Sequence, residues 1–243
     1  MGKVKIKKKE TRIDMTAMSD VTVLLLTFFM LTSTFLQKEP VTVITPPSVA
    51  EEKVPDSNLL SVLVSPEGKV FLEVLGDKDS TMKSETVRAD LLKNMLAEYN
   101  RANPSKQVKL TNKQIETFSK LNAFGVPFQF IGDWLNVEDV TLRDKILTGE
   151  EGLEVGGKKY RLEGIPINMN EDPNNPNEFQ MWIRAAYNSV NPNLQEAMVK
   201  GRGIAIKADQ STPYSVVNVV MDNLQTMKMN KFSLMTALKT SEE

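Results

Sequence analysis

The sequence predicts an α+β protein: one N-terminal transmembrane helix, then a linker, then an exported domain with helices packed on a small mixed sheet. Three observations carry this. An apolar run from Met15 to Leu36 holds a single charge, Asp20. A proline-bearing stretch, residues 37–57, follows it. Beyond residue 58, β-type alternation gives way to helical spacing, and a strand–helix–strand unit closes the chain.

The first element is MTAMSDVTVLLLTFFMLTSTFL. As a helix it would be about 33 Å long, enough for the hydrocarbon core of a bilayer. Val21 to Leu36 contains no charge, proline or glycine. At about 100° per residue, Thr16, Asp20, Thr27 and Thr34 fall within about 40° of one another. They form a polar pore-face stripe with Asp20 toward the cytoplasmic end, and Leu25, Phe28, Phe29 and Phe35 supply apolar surface around it. A membrane carboxylate costs roughly 2.5–3.5 kcal/mol on insertion scales, so it faces a protein interior or a wet cavity. The competing reading puts Asp20 at headgroup level as a cap, but Asp14, at the helix boundary, is better placed for that.

Residues 1–14 read as a cytoplasmic basic tail. Within residues 1–13, Lys3, Lys5, Lys7, Lys8, Lys9 and Arg12 stand against Glu10, a local balance of +5. The positive-inside rule keeps this end in the cytoplasm and sends the remainder across the membrane. A cleaved signal peptide would share the basic start, but no A-x-A-like site follows; Thr32-Ser33-Thr34 is the nearest small run. The charge bias thus predicts a single pass, with the C-terminal domain on the far side of the membrane.

Composition narrows the chemistry. The 243 residues carry a net charge of −1, so everything after the basic tail is mildly acidic and offers no patch for nucleic acid. There is no Cys and no His. That removes disulfides, thiolate chemistry, and the commonest metal ligand and general base. No G-x-S-x-G, P-loop or dinucleotide glycine motif occurs. We therefore expect no enzyme, no cofactor and no metal.

Residues 37–57 read as a linker. Pro40, Pro46, Pro47 and Pro55 exclude a helix, and the stretch could reach roughly 60 Å. Val41-Thr42-Val43-Ile44 within it is either plain linker or a strand added to a sheet edge. Residues 58–243 read as one periplasmic domain. Leu60, Val62 and Val64 alternate, Ser65-Pro66-Glu67-Gly68 turns, and Val70, Leu72 and Val74 return, which is a hairpin.

Leu91, Leu92, Met95, Leu96 and Tyr99 mark a helix over 86–101, and Thr111 with Gln114 opens a second through Ile115, Phe118 and Leu121. Val140 to Leu147 is a short helical piece, and Gly156-Gly157 makes a small hairpin. Asn168 to Asn177 is a solvated loop, and its acids lack the spacing and glycine of an EF-hand. Phe179, Trp182, Ile183, Ala186, Tyr187 and Val190 then make a helical stripe. Last come a strand over 203–208, a helix with Thr212 as N-cap and Pro213 as its first residue, and a strand from Phe232 to Thr236.

Two stretches resemble a known family. IDMTAMSDVTVLLLTFFMLTSTF, Ile13 to Phe35, is similar to the helix of the ExbD/TolR proteins, with Asp20 at the position of that family's membrane acid. IAIKADQSTPYSVVNVVMDNLQ, Ile204 to Gln225, followed by KFSLMT, resembles its closing unit. The resemblance implies a subunit of a motor driven by the proton-motive force. A pair of such helices, from two copies of this chain or from this chain and a paralogue, sits in membrane lipid inside a multi-span ring of the ExbB/TolQ kind. Work passes to a TonB-like transducer in the ExbD branch, or serves envelope integrity in the TolR branch. Asp20 is then the proton-transfer residue. The resemblance also points at Asp209 and Tyr214, for which the residues themselves suggest a structural part: Asp209 ordering the turn before the helix, Tyr214 packing on the sheet.

Residues 103–201 are longer than what the family places between its first periplasmic helix and the closing unit, and read as a partner-specific elaboration. A gliding or secretion motor and a membrane-anchored scaffold or binding protein without proton conduction are the alternatives.

Overall fold

The computed structural model describes residues 15–32, 43–45, 47–48, 55–78, 82–235 and 237–238. The chain divides into two units, Met1–Gln37 and Lys38–Glu243. The first holds one helix, α1 (Met15–Thr32). Asp14 and residues 33–36, including Thr34, lie outside the described residues. As described, α1 has 18 residues, about 27 Å at the usual rise, against a hydrocarbon core of about 30 Å. Among the described residues no helix is long and apolar enough to cross a membrane.

The second unit is built on a five-stranded mixed sheet in the order β4-β3-β2-β7-β8. β2 (Leu59–Val64) and β3 (Val70–Leu75) form the expected hairpin, in register from Leu59↔Leu75 to Val64↔Val70. The turn closes through Gly68 N donating to Ser65 O at 2.9 Å and Ser65 N to Lys69 O at 2.9 Å. Gly68 takes φ +82, a left-handed conformation that favours glycine. β7 (Ile204–Ala208) lies parallel to the other edge of β2, Leu60 opposite Ile204. β4 (Ala123–Phe124) extends β3, and β8 (Ser233–Leu234) extends β7. The alternation in β2 suggests one buried face, yet all six of its residues are buried. Both faces are covered.

Helices supply the cover. α2 (Ser84–Ala102) packs against β3, against α3 (Asn112–Ser119) and against α6 (Glu178–Tyr187). α7 (Pro192–Lys200) packs on β2, and α8 (Tyr214–Thr226) on α6. The starts follow from local chemistry. Thr111 and Asn177 each build a capping box, with Gln114 and Gln180 respectively. Asn191 caps α7, Pro192 occupies its first turn, and Gly201 ends it in the left-handed region.

Between α3 and α6 stand α4 (Ile131–Leu135), α5 (Val140–Thr148) and the hairpin β5 (Leu153–Val155)–β6 (Lys158–Tyr160). The expected Gly156-Gly157 turn joins the last two, both glycines at positive φ. Residues 103–201 are thus no appendage. Trp182 stacks on Phe118 at 6.1 Å and meets Phe124 at 4.6 Å and Phe128 at 5.7 Å, all four fully buried.

Two expectations are corrected. α8 starts at Tyr214, with Pro213 in the cap position, so Pro213 is not helical. Thr212 makes no cap bond; its hydroxyl donates to Ser65 O at 3.0 Å and ties the helix start to the hairpin. Tyr214 does not pack on the sheet. It is 73 % exposed, because the first helical residue points outward while Val217, Val220 and Leu224 turn inward.

The linker reading also sharpens. Val43 to Thr45 form no strand, but Pro47–Ser48 (β1) pairs parallel with Ala237–Leu238 (β9). Val41 and Thr42 lie outside the described residues, as does Thr236.

One buried residue joins three segments. Asn223 of α8 donates to Asn168 O at 2.9 Å and to Val219 O at 2.7 Å, and accepts from Asn177 Nδ2 at 2.7 Å. Asn177 in turn caps α6 through Gln180 N at 2.9 Å. Asn223→Ala removes these bonds, although Asn177 Nδ2 still donates to Asn168 O and Oδ1 at 2.9 and 3.0 Å, and should lower the stability of the domain by about 1–2 kcal/mol in denaturant unfolding.

Candidate functional site

Every described side chain of α1 is exposed, and Asp20 is the only charged residue between Met15 and Thr32. Thr16, Asp20 and Thr27 share one face of this helix. Three threonine hydroxyls of the stretch are already committed as donors. Thr27 Oγ1 donates to Leu24 O at 2.9 Å and Thr32 Oγ1 to Phe28 O at 2.8 Å, while Thr22 Oγ1 bonds Met18 O. A threonine that has spent its proton this way can only accept. Thr27 therefore offers a lone pair to an O–H donor such as water. Phe28 and Phe29 meet edge to face at 5.9 Å.

Asp209 sits in the second unit, at the end of β7. Its Oδ2 accepts from Ile44 N at 2.7 Å, and its Oδ1 from Ser211 N at 2.8 Å and from the Ser211 hydroxyl. Gln210 N donates to Ile44 O at 2.8 Å, so both backbone groups of Ile44 are held. The Ser211 hydroxyl first, then the Ser211 and Ile44 amides, hold the Asp209 carboxyl below its usual range, with burial opposing. Asp209 does order the turn before α8, as expected. The sequence gives no sign that the same carboxylate fastens the linker to the domain.

Two further acids stand apart. Glu178 opens α6 and accepts from Phe128 N at 2.7 Å; burial pushes it up to about 7, against the pull of that amide. Glu98 on α2 is also raised by burial, opposed by Arg184 and Arg101, and its Oε2 is buried without a hydrogen bond. Asn177 as a cap marks Glu178 as a first-turn acid in the sequence, but its depth comes from the Phe128 loop folding over it. Among the described residues no group of three or more Asp or Glu gathers in metal-binding geometry.

Residues 7–118 match the family model described as Biopolymer transport protein ExbD/TolR. The matched range takes in part of the basic tail, α1, the linker, the β2–β3 hairpin, α2 and nearly all of α3, just under half of the chain. Asp20 lies inside it; Asp209, Tyr214 and the closing strand–helix–strand unit lie outside. No curated protein and no solved structure matches the chain.

The raised Glu178 carboxyl makes a pH prediction. The folded domain holds this proton more tightly than the unfolded chain, so stability declines as pH rises from the ordinary carboxyl range through about 7. Glu178→Gln keeps the shape without the charge. It should stabilise the domain by about 1–2 kcal/mol near pH 8 and by little near pH 4, read as thermal unfolding across that window.

Proposed function

Residues 7–118 place the chain in the ExbD/TolR family, and from that premise we propose that it is the single-helix subunit of a motor driven by the proton-motive force. The family description gives a role in biopolymer transport. In the finer reading, the apolar run from Met15 to Leu36 anchors the chain in the inner membrane, N-terminus in the cytoplasm. A pair of these helices stands inside a ring of ExbB/TolQ-like subunits, and the periplasmic domain hands work to a TonB-like protein.

The observation that supports this best is the lone acid of α1. Asp20 has no cation of its own within the helix, and its neighbours on the same face are threonines. A carboxyl group drawn into an apolar wall favours its neutral form, and one facing water or a polar partner favours the ion. Loading and releasing a proton thus switches which wall the side chain can face, a two-state element of the kind a motor needs. Each proton crossing releases roughly 2.3 kcal/mol per 100 mV. Thr27 lies seven residues on, about 10 Å along the axis, too far for a direct bond. With its donor spent on Leu24 O, it would accept from water carrying the proton onward.

The domain must carry load without coming apart. The Ile44 clamp at Asp209 suits that, since it fixes the incoming chain to the end of the strand beside β2.

Asp20→Asn preserves size and removes the titrating group. The variant should co-purify with its ring subunit from detergent-solubilised membranes, while uptake driven by the proton-motive force falls to background. Normal uptake in this variant would leave a membrane-anchored scaffold or binding protein as the better reading.

A further inference from the structure

Two arginines of the domain are buried, and they are used differently. Arg88 on α2 donates to Val74 O at 3.1 Å, to Ser119 O at 3.2 Å and to Leu121 O, so the fold occupies its guanidinium. Arg143 on α5 is 8 % exposed, yet its guanidinium makes no hydrogen bond or ion pair among the described residues, and its Nε is fully buried without a partner. Only its backbone carbonyl is engaged, by Trp134 Nε1 at 3.2 Å. A buried Nε–H without an acceptor is costly to leave, and the planar fork of which it is one prong is shaped for an oxyanion.

Arg143 also lines two cavities. One, of about 440 Å³, is lined by Ala123, Trp134, Val140 and Leu147, and also by Lys120 and Asp144. The other, of about 510 Å³, is more polar and holds Lys113 and Glu138, paired at 3.1 Å. Lys120 is likewise engaged, by Glu116 at 2.7 Å. Arg143 is the cation of the first cavity left without an acceptor among the described residues.

We propose that the cavity between α3, β4 and α5 is a binding site for a monocarboxylate carried on an apolar body, with Arg143 as the group that receives the carboxylate. Its volume falls in the range of small-ligand pockets, and its lining sets Leu121, Trp134, Val140 and Leu147 beside Arg143, the cation there with no partner of its own among the described residues. Asp144 in the lining disfavours a dianion such as a phosphate monoester, whereas one guanidinium matches one carboxylate. The carboxylate can belong to a free acid or to a Glu side chain beside an aromatic residue of a partner. The site lies beyond the residues that match the family model and does not depend on Asp20.

The test uses the full chain in detergent micelles, with 3-phenylpropionate as probe and 3-phenylpropan-1-ol as its uncharged counterpart. Calorimetry should show saturable binding of the acid and at least about tenfold weaker binding of the alcohol, with a change in Trp134 emission. Arg143→Met should weaken the acid by about tenfold or more while the thermal midpoint holds or rises, because a buried Nε–H without an acceptor is gone. Arg143→Lys should retain part of the affinity.

An acetylated and amidated Phe-Glu dipeptide separates the sources: competition with the acid assigns the carboxylate to a partner protein, and binding of the free acid alone assigns it to a small molecule. No saturable binding of acid or dipeptide, equal binding of the alcohol, or undiminished binding in Arg143→Met overturns the proposal.

Discussion

The parallel pairing of β2 with β7 is the constraint on which the domain depends. It sets Leu60 against Ile204 and Val64 against Ala208, closing a loop of some 140 residues. Closing a loop of that length costs entropy that grows only slowly with length, but local contacts cannot offset it. The return comes from burial. β2 is covered on both faces, its hairpin partner fills one edge and β7 the other. The same pairing delivers Asp209 to Ile44 and Thr212 to Ser65, so the chain's entry into the domain is fastened at the end of its central strands.

Residues 103–201 follow from that closure. A segment spanning the loop between α2 and β7 must either extrude or fill. Here it fills: Phe124, Phe128 and Trp182 complete an aromatic cluster with Phe118, and α7 covers β2. Arg88 reaches from α2 to the carbonyls that end α3 and so fastens the segment where it begins. Within this packed body Arg143 is an exception, an arginine whose buried Nε has no partner among the described residues.

Periodicity and turn chemistry made much of the domain legible. The 59–75 hairpin, the helix over 86–101, the Thr111–Gln114 capping box, the Gly156-Gly157 turn and the closing strand–helix–strand unit all stand where local pattern puts them. What pattern could not give was depth. Alternation in β2 implied one buried face, but the second is covered by elements far away in sequence. The helix α7 went unread although Asn191-Pro192 and Gly201 mark both its ends, because its apolar stripe is thin: only Leu194 and Met198 are buried. Tyr214 was placed inward from its aromatic character, and its position at the first turn of α8 decides otherwise. In the candidate site the lone acid was plain from Asp20 alone. The commitment of the Thr27 hydroxyl to Leu24 O needed coordinates, as did the solitary guanidinium of Arg143.

The account of function turns on whether the Asp20 side chain takes up a proton within an apolar setting at some point in its cycle while the chain sits in its membrane. Dicyclohexylcarbodiimide tests this directly, since it enters apolar regions and reacts with neutral carboxyl groups. Native membranes would be treated, the chain purified, and modified residues located by mass spectrometry. The account predicts adduct on Asp20, with exposed acids of the domain such as Glu67 and Glu116 unmodified. An unmodified Asp20, or one modified no more than those surface acids, would contradict it.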